Sequence, residues 1–222
     1  MALSTAAKSA LGLGTVGGVA GSAIGANYLL DKGPSISDLI KSKNPEKRLL
    51  DKNSSEEAWK AAWKAYREAN KNKEKDIWSI EGWTTGASKD SEEAPDTFKQ
   101  GCASRIRGSS KLYDEVISYC TRKTILADLV KESSGRALLA KESGGGSAAW
   151  KAVWTEYKKS DTTHTNGKDA WKIDTWSSIH SSENAPDTFM DKCKSNSEVE
   201  GHNPDSELYK QLLKYCTTEI KD

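Results

Sequence analysis

The side chains of this 222-residue sequence best suited to chemistry are four cysteines and three histidines. A zinc site needs closely spaced Cys or His pairs, and Cys102, Cys120, Cys193 and Cys216 offer none. His164, His180 and His202 match no H-E-x-x-H pattern and all lie in the second half of the chain. There is no G-x-S-x-G elbow and no EF-hand loop. The run GLGTVGG lacks the Lys-Ser/Thr ending and the preceding strand of a phosphate-binding loop. Asp76 and Asp169 each stand just ahead of a Trp. Helix capping or a hydrogen bond from a Trp indole accounts for them more simply than acid–base work. No catalytic, cofactor-binding or metal-binding residue is assigned on these grounds.

What the cysteines can do instead depends on what holds them in place. The sequence carries EEAPDTF at 92–98 and ENAPDTF at 183–189. Trp59, Trp63, Tyr66, Phe98 and Cys102 recur at the same spacing as Trp150, Trp154, Tyr157, Phe189 and Cys193. Trp78 and Trp83 match Trp171 and Trp176 after a two-residue shift, and Tyr113 and Cys120 match Tyr209 and Cys216 after a five-residue shift. Asp38-Leu39-Ile40-Lys41 matches Asp128-Leu129-Val130-Lys131. Every Trp, Phe and Cys therefore has a counterpart. The chain divides into an N-terminal segment, 1–33, and two domain-sized repeats, 34–122 and 123–222, too long to be solenoid units.

Each repeat holds both members of a cysteine pair. The extra five residues of the second repeat fall between Cys193 and Cys216, in SNSEVEGHNPD. An insertion confined to a loop closed at both ends suits a disulfide, so the expected bridges are Cys102–Cys120 and Cys193–Cys216. Buried free thiols and a metal site are the alternatives. Disulfides would place the repeats on an oxidising side of a membrane.

The periodicities describe an all-α fold, two tandem copies of a small Trp-rich helical domain. Trp59, Ala62, Trp63 and Tyr66 share one helix face, as do Trp150, Val153, Trp154 and Tyr157. Ser54 and Glu57 suggest a capping box, and Pro95 and Pro186 suit a first helical turn with Asp96 and Asp187 beside them. Leu112, Val116, Tyr119 and Cys120 form an amphipathic stripe, matched by Leu208, Leu212, Tyr215 and Cys216, where Asn203-Pro204 supplies a start. No stretch alternates convincingly as a strand. DIWSIEGW and DAWKIDTW read as loop or 3₁₀ structure laying two Trp over the helices. The Gly run at 144–146 is expected to join two helices, and the repeats to share a helix near Thr121–Thr124. Trp63 and Trp154 are expected to be core anchors.

With 33 basic and 32 acidic side chains interleaved along the helices, the chain has no basic stripe for nucleic acid. The N-terminal segment is different. Ser9 to Leu30 carries no charge and as a helix would span about 33 Å. Gly14, Gly18, Gly21 and Gly25 give G-x-x-x-G spacings suited to helix–helix self-association in a membrane. A single-pass anchor with the repeats extracellular is the favoured reading. A signal peptide cut near Gly21-Ser22-Ala23, leaving a secreted protein, and a soluble tail are the alternatives.

The motifs ALGLGTVGGVAGSAIGA, ISDLIK, AWKAAWKAY and YCTRKTILADLVKES together resemble the large paralogous families of uncharacterised proteins in haemotropic mycoplasmas, wall-less bacteria that live on red blood cells. The resemblance covers most of the chain and brings no catalytic residues with it. It implies surface display and antigenic variation. The expectation is a non-enzymatic membrane-anchored surface protein with a host surface component as partner and no cofactor. The alternative is a small-molecule or peptide-binding module with a Trp-rich aromatic pocket.

Overall fold

Serine caps decide where four of the helices begin. Ser35, Ser55, Ser147 and Ser206 each sit in extended backbone and accept the N–H of the residue three positions on, a donor with no partner inside the helix. The computed structural model describes residues 34–86, 92–133 and 135–220. In chain order these form α1 (Ile36–Lys43), β1 (Lys47–Leu49), α2 (Glu56–Asn70), α3 (Asp96–Ile106), α4 (Tyr113–Tyr119), β2 (Thr121–Lys123), α5 (Leu126–Ser133), β3 (Arg136–Leu138), α6 (Ala148–Lys158), α7 (Trp176–Ile179), α8 (Asp187–Ser197), α9 (Glu207–Cys216) and β4 (Thr217–Glu219).

The aromatic stripes face inward and build two hydrophobic clusters, one from residues between Ile36 and Cys120, the other from residues between Leu126 and Cys216. Corresponding residues make corresponding contacts. Trp63 stacks on Tyr66 and packs 5.0 Å from Phe98, while Trp154 stacks on Tyr157 and packs 5.0 Å from Phe189. Trp78 lies parallel to Phe98 at 5.5 Å and Trp171 parallel to Phe189 at 5.6 Å. Such offset and edge contacts add to the gain from burying the rings. Trp63 and Trp154 are both buried, the latter completely.

The structure pairs Cys102 with Cys120 and Cys193 with Cys216, so α3 is tied to the end of α4 and α8 to the end of α9. Closing loops of this length removes roughly 3 kcal/mol of chain entropy from the unfolded state per bridge. Thiol reductant is therefore expected to lower the thermal midpoint seen by circular dichroism. An unchanged melt after confirmed reduction would show that the bridges contribute nothing.

Several local expectations are corrected. The described chain is mostly helical but not all-α. β1 pairs antiparallel with β2, and β3 with β4. Each strand has three residues, too few for alternation to register in a sequence. The cap of α2 is Ser55, whereas the Ser54 hydroxyl closes the preceding turn on Asp51. Pro95 and Pro186 are cap residues in extended backbone, one position ahead of the first turn. Asn203 accepts the Asp205 N–H in a turn, and Ser206 opens α9. The repeats share no helix. β2 occupies the junction, so a boundary between 122 and 123 falls inside a strand.

The Gly run joins β3 to α6 through a 3₁₀ turn. Gly145, at φ 54°, lies so close to Ala185 that a Cβ there would meet the Ala185 carbonyl oxygen at 2.0 Å. Only glycine fits that approach. DIWSIEGW is irregular, whereas DAWKIDTW runs into α7. The expected anchor in 1–33, with Gly14, Gly18, Gly21 and Gly25, lies outside the described residues. Among those, no helix is long and apolar enough to cross a membrane.

Candidate functional site

Asp76 and Asp169 are buried, and neither caps a helix or binds a Trp indole. Asp76 accepts the backbone N–H groups of Trp78 at 2.8 Å and Ile80 at 2.9 Å together with the Tyr66 hydroxyl. Asp169 accepts those of Trp171 at 3.3 Å and Ile173 at 2.9 Å together with the Tyr157 hydroxyl. The indoles go elsewhere, Trp78 to Glu115 and Trp171 to Gln211. Gathering N–H groups from both sides of one residue bends the backbone, and Ser79 and Lys172 sit at φ 53° in consequence. The pattern D-x-W-x-I is therefore a turn knotted around a carboxylate.

Burial, and then the hydrogen bond to the carboxylate, push the Tyr66 and Tyr157 phenols well above the usual tyrosine range. The unfolded chain releases these protons near pH 10 while the folded chain keeps them. Their contribution to stability is thus complete below that pH and falls as pH rises above it. Alkaline titration followed at the tyrosinate absorbance is expected to leave Tyr66 and Tyr157 protonated until the protein unfolds. Seven phenols ionising in the folded state would contradict this.

The tryptophans pack in or against the two cores. Trp59, Trp63, Trp150, Trp154, Trp171 and Trp176 are buried, and Trp78 and Trp83 are half-buried against the first cluster. Three surface concavities have walls without any Trp. His164 and His180 stack on each other at 3.9 Å, the second beside Trp176. Among the described residues no group of three or more His, Cys, Asp or Glu is placed to hold a metal ion.

The largest of the three concavities, about 580 Å³, lies between the repeats. Its back is the chain from Lys123 to Leu126, and both repeats pair with that chain. Thr124 donates its N–H to the Glu46 carbonyl of the first repeat at 2.9 Å. Beyond it, Ile125 is bridged to Glu200, with Leu126 N–H on the Val199 carbonyl at 3.0 Å and Gly201 N–H on the Thr124 carbonyl at 2.9 Å. The loop that supplies Val199, Glu200, Gly201 and His202 is the five-residue insertion of the second repeat. Val199, Leu126 and Leu208 make the groove apolar at its base, and Glu46, Lys47, Lys123 and His202 surround it.

Most of the rim's polar groups already have protein partners. Lys123 bonds Glu200 at 2.6 Å, and Lys47 reaches the Ile117 carbonyl at 3.2 Å. The Glu46 backbone N–H, then the Asn44 amide, hold the Glu46 carboxyl below the usual carboxylate range, with Lys47 and His202 adding to the effect. The apolar part of this lining suits the burial of apolar surface.

Two bidentate ion pairs stand at the same junction. Arg48 on β1 meets Glu132 on α5 at 2.9 and 3.0 Å. Arg122 on β2 meets Asp128 on α5 at 2.6 and 2.7 Å. Burial pushes the Asp128 carboxyl up, but Arg122, the Ile125 N–H and Arg48 together hold it below the usual range.

Comparison of the chain with protein-family models, with curated proteins and with solved structures finds no match. The groove was not visible from motif reading. The signal that could have pointed to it was the insertion itself, the longest departure of one repeat from the other within their matched cores.

Proposed function

We propose that this chain is a non-enzymatic surface protein in which two tandem copies of one small Trp-rich domain are displayed outside a cell and held at its membrane by residues 1–33. The observation that carries the reading is the cysteine pairing. All four cysteines are bonded, each to the partner within its own repeat. Bridges of this kind persist on the oxidising side of a membrane. The uncharged segment Ser9–Leu30 supports attachment, and its motifs support kinship with the surface families of haemotropic mycoplasmas and a role in host contact or antigenic variation.

A second reading, a binding module for a small molecule or peptide, rests on the inter-repeat groove. The aromatic-pocket form of that reading is the weaker one, because the tryptophans are spent on the two cores.

Protease treatment of intact cells tests the proposal, with non-reducing peptide mapping of what is released. The expected products are fragments from 34–222 carrying Cys102–Cys120 and Cys193–Cys216. Cleavage only after lysis, or free thiols in freshly released protein, would overturn it.

A further inference from the structure

We infer that the contact between the repeats works in one order only: the first repeat offers a basic face, the second an acidic one, and the five-residue insertion latches them. Three ion pairs cross the junction with the same polarity. Arg48, Arg122 and Lys123 stand on the β1–β2 pair, which packs with the first repeat although Lys123 falls one residue past 122, and Glu132, Asp128 and Glu200 belong to the second repeat. The Arg48 side chain is 12 % exposed and that of Glu132 31 %, so the arginine is held close while its partner remains open to solvent and to screening by salt.

The repeats are similar in their cores, so their differences at this junction are informative. The second repeat has Ala137, Thr218 and Glu219 where the first has Arg48, Arg122 and Lys123. Ala137 pairs with Thr218 in β3–β4 just as Arg48 pairs with Arg122 in β1–β2, which fixes the correspondence. Glu219 reverses the sign and is used within its own repeat, against Arg136. On the opposite face the first repeat has Ser42 in place of Glu132 and lacks the insertion. Its Asp38, the counterpart of Asp128, accepts the Ser35 hydroxyl at 2.7 Å. At these three positions the second repeat therefore lacks the basic side chains by which the first repeat receives it. Gly201 completes the latch: a Cβ there would lie 3.0 Å from the Leu126 side chain, so the loop closes tightly over the shared strand.

Coupling by a latch differs from mere adjacency, because it makes the junction amides a reporter. In the full-length protein, amide exchange is followed for Thr124, Leu126 and Gly201 and, in the same spectra, for the core amides of Trp63 and Trp154. Arg48→Glu and Glu132→Arg are each expected to speed exchange at the three junction amides by about tenfold or more while the core amides keep their protection. The charge-swapped double variant is expected to restore the junction. Unchanged junction exchange in either single variant, or failure of the double variant to restore it, overturns the inference. Loss of core protection together with the junction overturns it too, since the contact would then be inseparable from folding.

Discussion

Trp154→Ala is expected to destabilise the second repeat by about 3–5 kcal/mol, the range for removing a fully buried Trp. The indole has no solvent exposure. It packs 5.7 Å from Trp176 and 5.0 Å from Phe189 and stacks on Tyr157, so three aromatic partners lose a face together. Its N–H also donates to the Ser182 carbonyl at 2.9 Å, an acceptor that alanine leaves to the Lys158 ammonium alone. The cavity cannot refill from α6, whose outward positions are Lys, Thr and Glu. A domain of this size holds on the order of 5–10 kcal/mol in total, so the variant sits at the edge of unfolding. Loss of near-ultraviolet circular dichroism and a thermal midpoint lowered by roughly 10 °C or more would bear this out. Trp154→Phe is expected to recover part of the loss by keeping a ring in the cluster. A variant with native melting would remove Trp154 from the core and return the tryptophans to consideration as a ligand surface.

Much of this architecture was legible because aromatic residues are few and heavily used. Trp59, Trp63 and Tyr66 declare a helix face by spacing alone, and their recurrence at 150, 154 and 157 declares it twice. Cysteine positions gave the pairing for a similar reason, since each repeat carried both partners. The strands were hidden because each of them forms only in the company of a distant segment. Lys47–Leu49 is extended because Thr121–Lys123 lies beside it, and nothing local in KRL requires that. The groove was hidden more deeply. It depends on Glu200 returning to Ile125 across a distance in sequence that no motif spans. The charges that make the junction directional, Arg48 against Glu132 and Arg122 against Asp128, read in the sequence as part of an ordinary solvated mixture.

The D-x-W-x-I turn was also missed, although both of its copies were noticed, and it carries the other large effect. Asp169→Ala is expected to cost on the order of 2–6 kcal/mol, because it strands two buried donors at about 1–3 kcal/mol each. Those donors are the Ile173 N–H and the Tyr157 hydroxyl, while the Trp171 N–H keeps the Tyr157 oxygen at 3.1 Å. Water cannot replace the carboxylate cheaply, since Asp169 is 3 % exposed and Tyr157 has no exposure. The loss also frees Lys172 from its left-handed conformation, which a residue with a Cβ adopts only under constraint. Once that turn relaxes, Trp171 is no longer held parallel to Phe189, and the disturbance reaches the second core. Asp169→Asn keeps the shape and one acceptor oxygen and is expected to lose less. Tyr157→Phe separates the contributions. Combined with Asp169→Ala it should cost less than the sum of the single changes, because the phenol and the carboxylate are each other's partners. Asp76→Ala should behave alike in the first repeat, where Ile80 and Tyr66 supply the same two donors and the Trp78 N–H keeps the Tyr66 oxygen at 3.0 Å. Urea denaturation followed by Trp fluorescence measures all five variants. If Asp169→Ala and Asp76→Ala both stay within about 1 kcal/mol of the parent, the carboxylates are not what holds the turns, and a role for the two aspartates outside folding becomes the reading to pursue.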